Sequence, residues 1–349
     1  MKNDPIRVGI VGAGDNTRAK HIPGLQAIEG VEIISVCNRG RKSSERAARQ
    51  FGIPKVYDNW LELVEAPDTN AIVIGTWPDL HAPVTRAALE ADKHVLCEAR
   101  MAMNAKEAHE MLEAARKRPH LIAQVVPSPF TLRVDRVVKR LLADGYPGEV
   151  LAIDVQSRGA FLDREAALTW RQDFNLGGLN VLSLGIWYEA VMRWVGEAIR
   201  VMAMGKTFVK MRTDPQTGTL RAVRVPEQID VLAEMACGAQ AHFGISAVQG
   251  LGGTDEVTLF GSEGTLRFAE GKLYGGRKGD PGLKEIEILP AEEGRWRVEE
   301  EFIRAIRGQE KITRTTFSDG VQYMEFTEAA ARSMAEKRAV ALPLGIVTF

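Results

Sequence analysis

Two stretches near the start of the chain carry residue types and spacings suited to holding a ligand. Gly12-Ala13-Gly14-Asp15-Asn16-Thr17 directly follows the apolar run Ile6–Val11. A first glycine permits a tight strand-to-helix turn. A second lets the backbone approach a pyrophosphate, which then sits at a helix N-terminus. Thr17 stands where such a fingerprint has its third glycine. A glycine turn without a ligand is the alternative, but a strand before and a helix after favour a dinucleotide cradle. The second stretch, Asn38-Arg39-Gly40-Arg41-Lys42-Ser43, follows the next apolar run. A carboxylate there would accept hydrogen bonds from both ribose hydroxyls of NAD. Asn38 is neutral, and Arg39, Arg41 and Lys42 are cationic. Such a loop suits the 2′-phosphate of NADP, to which a guanidinium offers a fork of donors. NAD stays open as the alternative, as does a solvated basic loop.

These residues need a frame. Ile6–Val11, Val31–Cys37, Ala71–Gly75, His94–Cys97 and Leu121–Val125 are short apolar runs, the pattern of buried parallel strands. Helical stretches alternate with them: Ser43–Phe51, Ala82–Ala91 and Ala105–Arg118, the last with Ala105, Ala108, Met111, Leu112 and Ala115 on one stripe. This alternation predicts an α/β fold, a doubly wound parallel sheet over residues 1–125.

Pro127 and Pro129 bracket Ser128 as a hinge. Beyond it the pattern changes. Thr131–Asp144 reads as a helix, stopped by Gly145 and Pro147. Strands follow at Leu151–Arg158, Ile229–Ala236, Ala239–Val248, Glu256–Gly261 and Thr265–Ala269, with helices at Val181–Trp194, Glu299–Ile306 and Asp319–Ala335. In Ala239–Val248 the residues Ala239, Ala241, Phe243, Ile245 and Ala247 alternate with Gln240, His242, Gly244 and Ser246, one buried face and one wetter face. Residues 126–349 are therefore expected to form an α+β domain around an open, mostly antiparallel sheet, its C-terminal helix packing back on the first domain.

Composition sets the function classes aside. With 349 residues, two domains are the default at about 100–200 residues each. The chain is 45% hydrophobic and 26% charged with a formal net charge of −1, so no field favours nucleic acid or an anionic membrane. No apolar run is long enough for a membrane span, and the start lacks a signal-peptide pattern. Cys37, Cys97 and Cys237 sit far apart and are expected as buried free thiols of a cytoplasmic protein. The six histidines show no metal-ligand spacing.

At this point the sequence resembles the glucose–fructose oxidoreductase / inositol dehydrogenase / MocA family over nearly its whole length. Ile6–Leu25, with His21-Ile22-Pro23, is similar to the family's opening. Gly75-Thr76-Trp77-Pro78-Asp79-Leu80-His81 resembles its Thr-Pro-x-x-x-His loop, which lies beside the cofactor. His94 to Ala102, with Glu98-Ala99-Arg100, resembles its Glu-Lys-Pro segment. Tyr146-Pro147-Gly148-Glu149-Val150 and Gly177-Gly178 through Gly185 resemble its substrate-domain glycine motifs. The resemblance assigns Thr76, Trp77 and His81 to the cofactor loop.

Four positions in two motifs depart from that pattern. Ala99 replaces the family's Lys and Arg100 its Pro. Ser183 stands for an Asp and Trp187 for a His. Neither a methyl group nor an indole transfers a proton at neutral pH. Glu98 and Tyr188 remain as the catalytic candidates: Glu98 against the nicotinamide ribose, Tyr188 as a replacement proton donor. Arg100, Arg171, Asn180, Ser183 and Trp187 are the candidate substrate contacts, Arg100 favouring an anionic compound. The leading expectation is an NAD(P)-dependent oxidoreductase transferring hydride to or from a sugar, polyol or related hydroxy or carbonyl compound. One alternative is a non-catalytic dinucleotide-binding sensor or partner subunit. Another is a lyase or glycosidase with tightly bound NAD(P) and no net redox change. The resemblance also implies a homo-oligomer, dimer or tetramer, through the exposed sheet face.

Overall fold

The computed structural model describes residues 5–345. They divide into two units. The chain up to Pro127 together with Arg297–Val321 makes the first, and Ser128–Trp296 with Gln322–Gly345 the second.

In the first unit β1 (Ile6–Val11), β2 (Val31–Cys37), β3 (Lys55–Val56), β4 (Ala71–Ile74), β5 (His94–Cys97) and β6 (Ala123–Val125) form one sheet in the order β3-β2-β1-β4-β5-β6. Every neighbouring pair is parallel. All four residues of β4 are buried, as expected of a parallel strand covered on both faces. The connecting helices are α1 (Ile22–Gln26), α2 (Arg41–Phe51), α3 (Trp60–Glu65), α4 (His81–Glu90) and α5 (Ala105–Arg116). The start of α5 is fixed by a reciprocal cap. Asn104 Oδ1 accepts from the Glu107 N–H at 2.9 Å, and the Glu107 carboxylate accepts from the Met103 N–H at 3.0 Å. Its expected apolar stripe is buried at Ala105, Ala108 and Met111 and half-buried at Leu112 and Ala115. Strand order reverses between β1 and β4, the switch point at whose carboxyl edge doubly wound sheets bind ligands.

The second unit holds α6 (Asp135–Ala143), β7 (Val150–Ser157), α7 (Phe174–Gly177), α8 (Leu184–Val195) and the strands β8 (Ala198–Lys206), β9 (Met211–Thr213), β10 (Leu220–Ala222), β11 (Gln228–Met235), β12 (Gln240–Ser246), β13 (Glu256–Gly261), β14 (Gly264–Ala269), β15 (Lys272–Arg277) and β16 (Lys284–Ile286). With β17 (Val340–Ala341) these make a nine-stranded sheet, β16-β15-β14-β13-β7-β12-β11-β8-β17, while β9 and β10 pair as a hairpin. Only β7 and β12 run parallel to each other. Phe243 and Ile245 of β12 point into the core as expected. Gly244, expected on the wetter face, is buried because Gln156 covers it: a Cβ there would meet Gln156 Oε1 at 2.6 Å. Ser246 is buried as well. The sequence reading passed over β8. Its inward positions Val201, Ala203 and Gly205 are small, and its outward ones include Met202 and Met204, so apolar alternation is lost.

Between these pieces the chain returns to the first unit through α9 (Val298–Ile306), and α10 (Phe317–Glu336) begins there and ends in the second unit. Residues 297–321 thus group with the first unit, inside the stretch 126–349 expected as a second domain whose C-terminal helix packs back on the first. The apolar face of α9, Val298, Phe302 and Ile303, is buried. Buried polar pairs fix the return: Gln124 Nε2 donates to Glu301 Oε2 at 2.9 Å, and the Val125 N–H to the Thr315 carbonyl at 3.1 Å. One expectation about the thiols is corrected. Cys37 and Cys97 are buried and free, but Cys237 is exposed, in the turn joining β11 to β12. No helix among the described residues is long and apolar enough to cross a membrane.

Candidate functional site

The glycine cradle sits at the end of β1. Gly12 has φ +87, and a Cβ there would lie 2.6 Å from the Thr76 nitrogen. No side chain fits, so Gly12 is demanded both by backbone conformation and by close approach. Its N–H donates to the Cys37 carbonyl at 2.8 Å. Gly14, Asp15 and Asn16 are exposed. A π-turn, Thr17–His21, runs straight into α1. Thr17 is buried where a third glycine was expected. The room comes from across the crevice, where a Cβ on Gly75 would fall on Thr17 Oγ1. The missing glycine is thus compensated by another one, 58 residues later in the chain. This backbone cradle fits a dinucleotide pyrophosphate.

At the end of β2, Asn38 Oδ1 accepts from the Ala13 N–H at 2.6 Å and the Asn38 N–H donates to Ser44 Oγ at 2.9 Å. Asn38 therefore braces the cradle. The three cations next to it differ. Arg41 is tied down by Glu45 at 3.0 Å and Asp58 at 2.8 Å. Arg39 lies over the Trp77 ring with its guanidinium carbon 4.8 Å from the centroid, and Lys42 is exposed. No side chain caps the first turn of α2, where the Ser43 and Ser44 N–H groups donate to the Gly40 carbonyl at 3.0 and 3.1 Å.

At the end of β5, Glu98 Oε1 accepts from Asn16 Nδ2 and lies 2.9 Å from His21 Nε2, while Glu98 Oε2 accepts from the Ala99 N–H at 3.0 Å. His21 is fully buried, and its Nδ1 lies 2.5 Å from Glu299 Oε1 on α9. Burial alone would lower the His21 pKa, but hydrogen bonds and charge from Glu299 and Glu98 outweigh it and raise it to about 9. Burial pushes Glu98 up, but His21, Asn16 and the Ala99 N–H prevail and hold its carboxyl below the ordinary value. His81 is fully buried between the Arg100 carbonyl at 2.8 Å and the Thr76 carbonyl at 3.1 Å, and burial lowers its pKa. It joins the two loops rather than presenting a base. Arg100 is buried too.

In the second unit the predicted groups divide. Asn180 is buried and its Nδ2 donates to the Gly177 carbonyl at 2.7 Å. Ser183 Oγ lies 3.3 Å from Ser157 Oγ. Arg171 is exposed and stacks on Trp170, 4.3 Å from the ring centroid. Tyr188 is 1% exposed. Its ring stacks on Phe326 at 3.7 Å, and its hydroxyl accepts from the Ala198 N–H at 2.8 Å. Burial drives the phenol well above its ordinary pKa. The expectation of Tyr188 as proton donor is therefore corrected: it is a core residue. Trp187 is equally buried, 4.6 Å from the Phe130 ring, and packs instead of offering an open stacking face.

Comparison with known proteins decides the family. A sequence profile described as "Oxidoreductase family, NAD-binding Rossmann fold" matches residues 6–125, and one described as "GFO/IDH/MocA C-terminal domain" matches residues 136–267. The chain belongs to the Gfo/Idh/MocA family. It is 29% identical over 218 residues to glucose-6-phosphate 3-dehydrogenase of Bacillus subtilis, covering 60% of each chain. To trans-1,2-dihydrobenzene-1,2-diol dehydrogenase of Oryctolagus cuniculus it is 28% identical, covering 70% of each. The fold matches a levoglucosan dehydrogenase in complex with NADH and L-sorbose, with TM-score 0.84 and 22% identity over 97% of this chain and 99% of that one.

Within this Gfo/Idh/MocA protein, four functional residues gave no clear signal in the sequence. His21 was noted only as part of the opening motif. Glu299 lies 278 positions from His21, so no spacing could pair them. Glu189 and Arg193 of α8 also went unremarked. Glu189 Oε2 accepts from the Ser128 N–H at 2.7 Å, and Arg193 binds Glu189 at 2.7 Å and Asp135 at 3.1 Å, locking the Pro127-Ser128-Pro129 segment from Ser128 onward. Their i,i+4 spacing was the available signal.

Proposed function

We propose that this protein is an NADP-linked oxidoreductase acting on a sugar, polyol or related hydroxy or carbonyl compound. The observation that carries this reading is the cofactor-side constellation. A backbone cradle whose Gly12 leaves no room for a side chain ends beside a neutral Asn38, an Arg39 held over Trp77 and an uncapped helix start. Gly12, Gly14, Asp15, Asn16 and Thr17 would hold the pyrophosphate; Arg39 and Lys42, with the α2 N–H groups, the 2′-phosphate; Thr76 and Trp77, braced by His81, the middle of the cofactor; Glu98 the nicotinamide ribose. When bound, the nicotinamide supplies the hydride chemistry. Two of the relatives are named as dehydrogenases of glucose-6-phosphate and of a dihydrobenzenediol, and this supports a cyclic polyhydroxy substrate. Arg171, Asn180 and Ser183 are the polar groups proposed to meet it. Calorimetry tests the cofactor: NADPH should bind more tightly than NADH, and Arg39→Ala should narrow the gap. Equal affinities would overturn it.

A non-catalytic dinucleotide-binding role is the second reading. It is favoured by Ala99 and Trp187 at the proton-transfer positions together with the core placement of Tyr188. Absorbance at 340 nm across a panel of sugars, sugar acids and diols separates the two. If the native chain is silent and Ala99→Lys with Trp187→His becomes active, the second reading stands.

The open face of the nine-stranded sheet carries Met202, Met204, Leu232 and Phe260 outward, with Met204 78% exposed. This patch supports a homo-oligomer, dimer or tetramer, built on that face. Light scattering of the purified protein and of Leu232→Glu tests it, the variant being expected as monomer. The buried free thiols support a cytoplasmic location.

A further inference from the structure

We infer that Glu299, carried on the segment that returns to the first unit, is a positioning residue: through His21 it keeps Glu98 ionised and fixed in direction. The inference rests on the reading above, that Glu98 lies at the nicotinamide end of the cofactor.

The geometry carries it. Each ring nitrogen of His21 meets a different carboxylate oxygen, Nδ1 facing Glu299 and Nε2 facing Glu98. A neutral imidazole has one N–H and can serve only one acceptor; the imidazolium serves both. The ring is fully buried, so water supplies no replacement partner. Glu299 reaches it past α1 because residue 24 is glycine: a Cβ there would meet Glu299 Cδ and Cγ at 3.0 Å. Glu98 after β5, Glu299 on α9 and Asn16 on its own turn, 3.5 Å away, all face His21.

The consequence falls on Glu98. Its Oε1 receives Asn16 Nδ2 and His21 Nε2, and its Oε2 receives the Ala99 N–H, leaving Oε2 with acceptor capacity. Fixed at both oxygens and ionised, Glu98 can accept a hydroxyl hydrogen bond and cannot donate one. Without Glu299 the imidazole is short of one carboxylate partner, and it loses its proton at lower pH. Glu98 then loses its cation while remaining largely desolvated, and both its charge and its orientation are released.

The test reads the ligand-free protein first. Long-range ¹H–¹⁵N spectra of the imidazoles, with His21 assigned through a His21→Gln sample, should show it doubly protonated from pH 6 to 8. In Glu299→Gln the midpoint should fall by at least one pH unit, and Glu299→Asp, which restores the charge, should recover part of that. A neutral His21 at pH 7, or a midpoint unmoved in Glu299→Gln, overturns the inference. If Glu299→Gln does not fold, the unsubstituted protein and Glu299→Asp still decide it. NADPH titrations follow at pH 6 and pH 8. Relative to the unsubstituted protein, Glu299→Gln should lose at least fivefold more affinity on going to pH 8. Spectra that shift without any such loss would refute the positioning role. If NADPH fails to bind the unsubstituted protein, the cofactor reading falls and the positioning role with it, while the spectra still fix the charge of His21.

Discussion

The cofactor side of the first unit and the α8 region of the second hold their polar groups in opposite ways. In the first, buried ionisable groups pair with one another: His21 sits between Glu98 and Glu299, and loop atoms bond across strands, as Asn38 does to Ala13. Around Trp187 and Tyr188 of α8 aromatic packing dominates: Phe130, Phe243 and Phe326 close on the two rings. The charges retained in α8, Glu189 and Arg193, serve the Ser128 segment instead. The cofactor frame is written in backbone conformation, whereas the α8 region is held by side-chain packing.

The largest expected break in this comparison is Tyr188→Ala. Removing a stacked, fully buried ring should cost about 3–5 kcal/mol in urea unfolding, whereas Tyr188→Phe should cost about 1 kcal/mol, the hydrogen bond alone. Neither change should shift the pH dependence of any turnover. A catalytic Tyr188 would instead lose activity in the Phe variant while keeping its stability.

Next comes the His21 clamp. Its pKa is raised in the folded protein, so its stabilisation is complete below about 6.5 and is lost as pH climbs through about 9. At 1.36 kcal/mol per unit, that rise corresponds to about 3 kcal/mol. Urea midpoints at pH 6 and pH 9.5 should differ accordingly, and Glu299→Gln should flatten the slope. A flat profile in the unsubstituted protein would falsify the charged imidazole. Glu98, whose pKa is depressed, marks the other edge, where the same pairing is lost as pH falls through the acid range.

Smaller is the effect of Arg39→Ala. One charge-assisted contact to phosphate is worth about 1.5–3 kcal/mol, so NADPH affinity should drop roughly tenfold to a hundredfold and NADH affinity should barely move. A loss shared equally by both cofactors would place Arg39 on the adenine alone. The smallest change belongs to Arg41→Ala. Arg41 is exposed and already engaged by Glu45 and Asp58, so its removal should leave NADPH affinity nearly unchanged.

What the sequence determined was set by local chemistry. Ile6–Val11, Val31–Cys37 and His94–Cys97 are strands over the very residues their apolar runs marked, and Gly12 stands where only glycine can turn. The basic end of β2 was equally legible, because charge and neighbour order are local facts. Tertiary structure alone decided the rest. That Thr17 is tolerated depends on Gly75, that His21 is charged depends on Glu299, and that Tyr188 is core depends on Phe326. Each of these pairs is far apart in the chain. Periodicity and spacing report which face a residue turns inward, but the partner it meets there is chosen by the packing of distant segments.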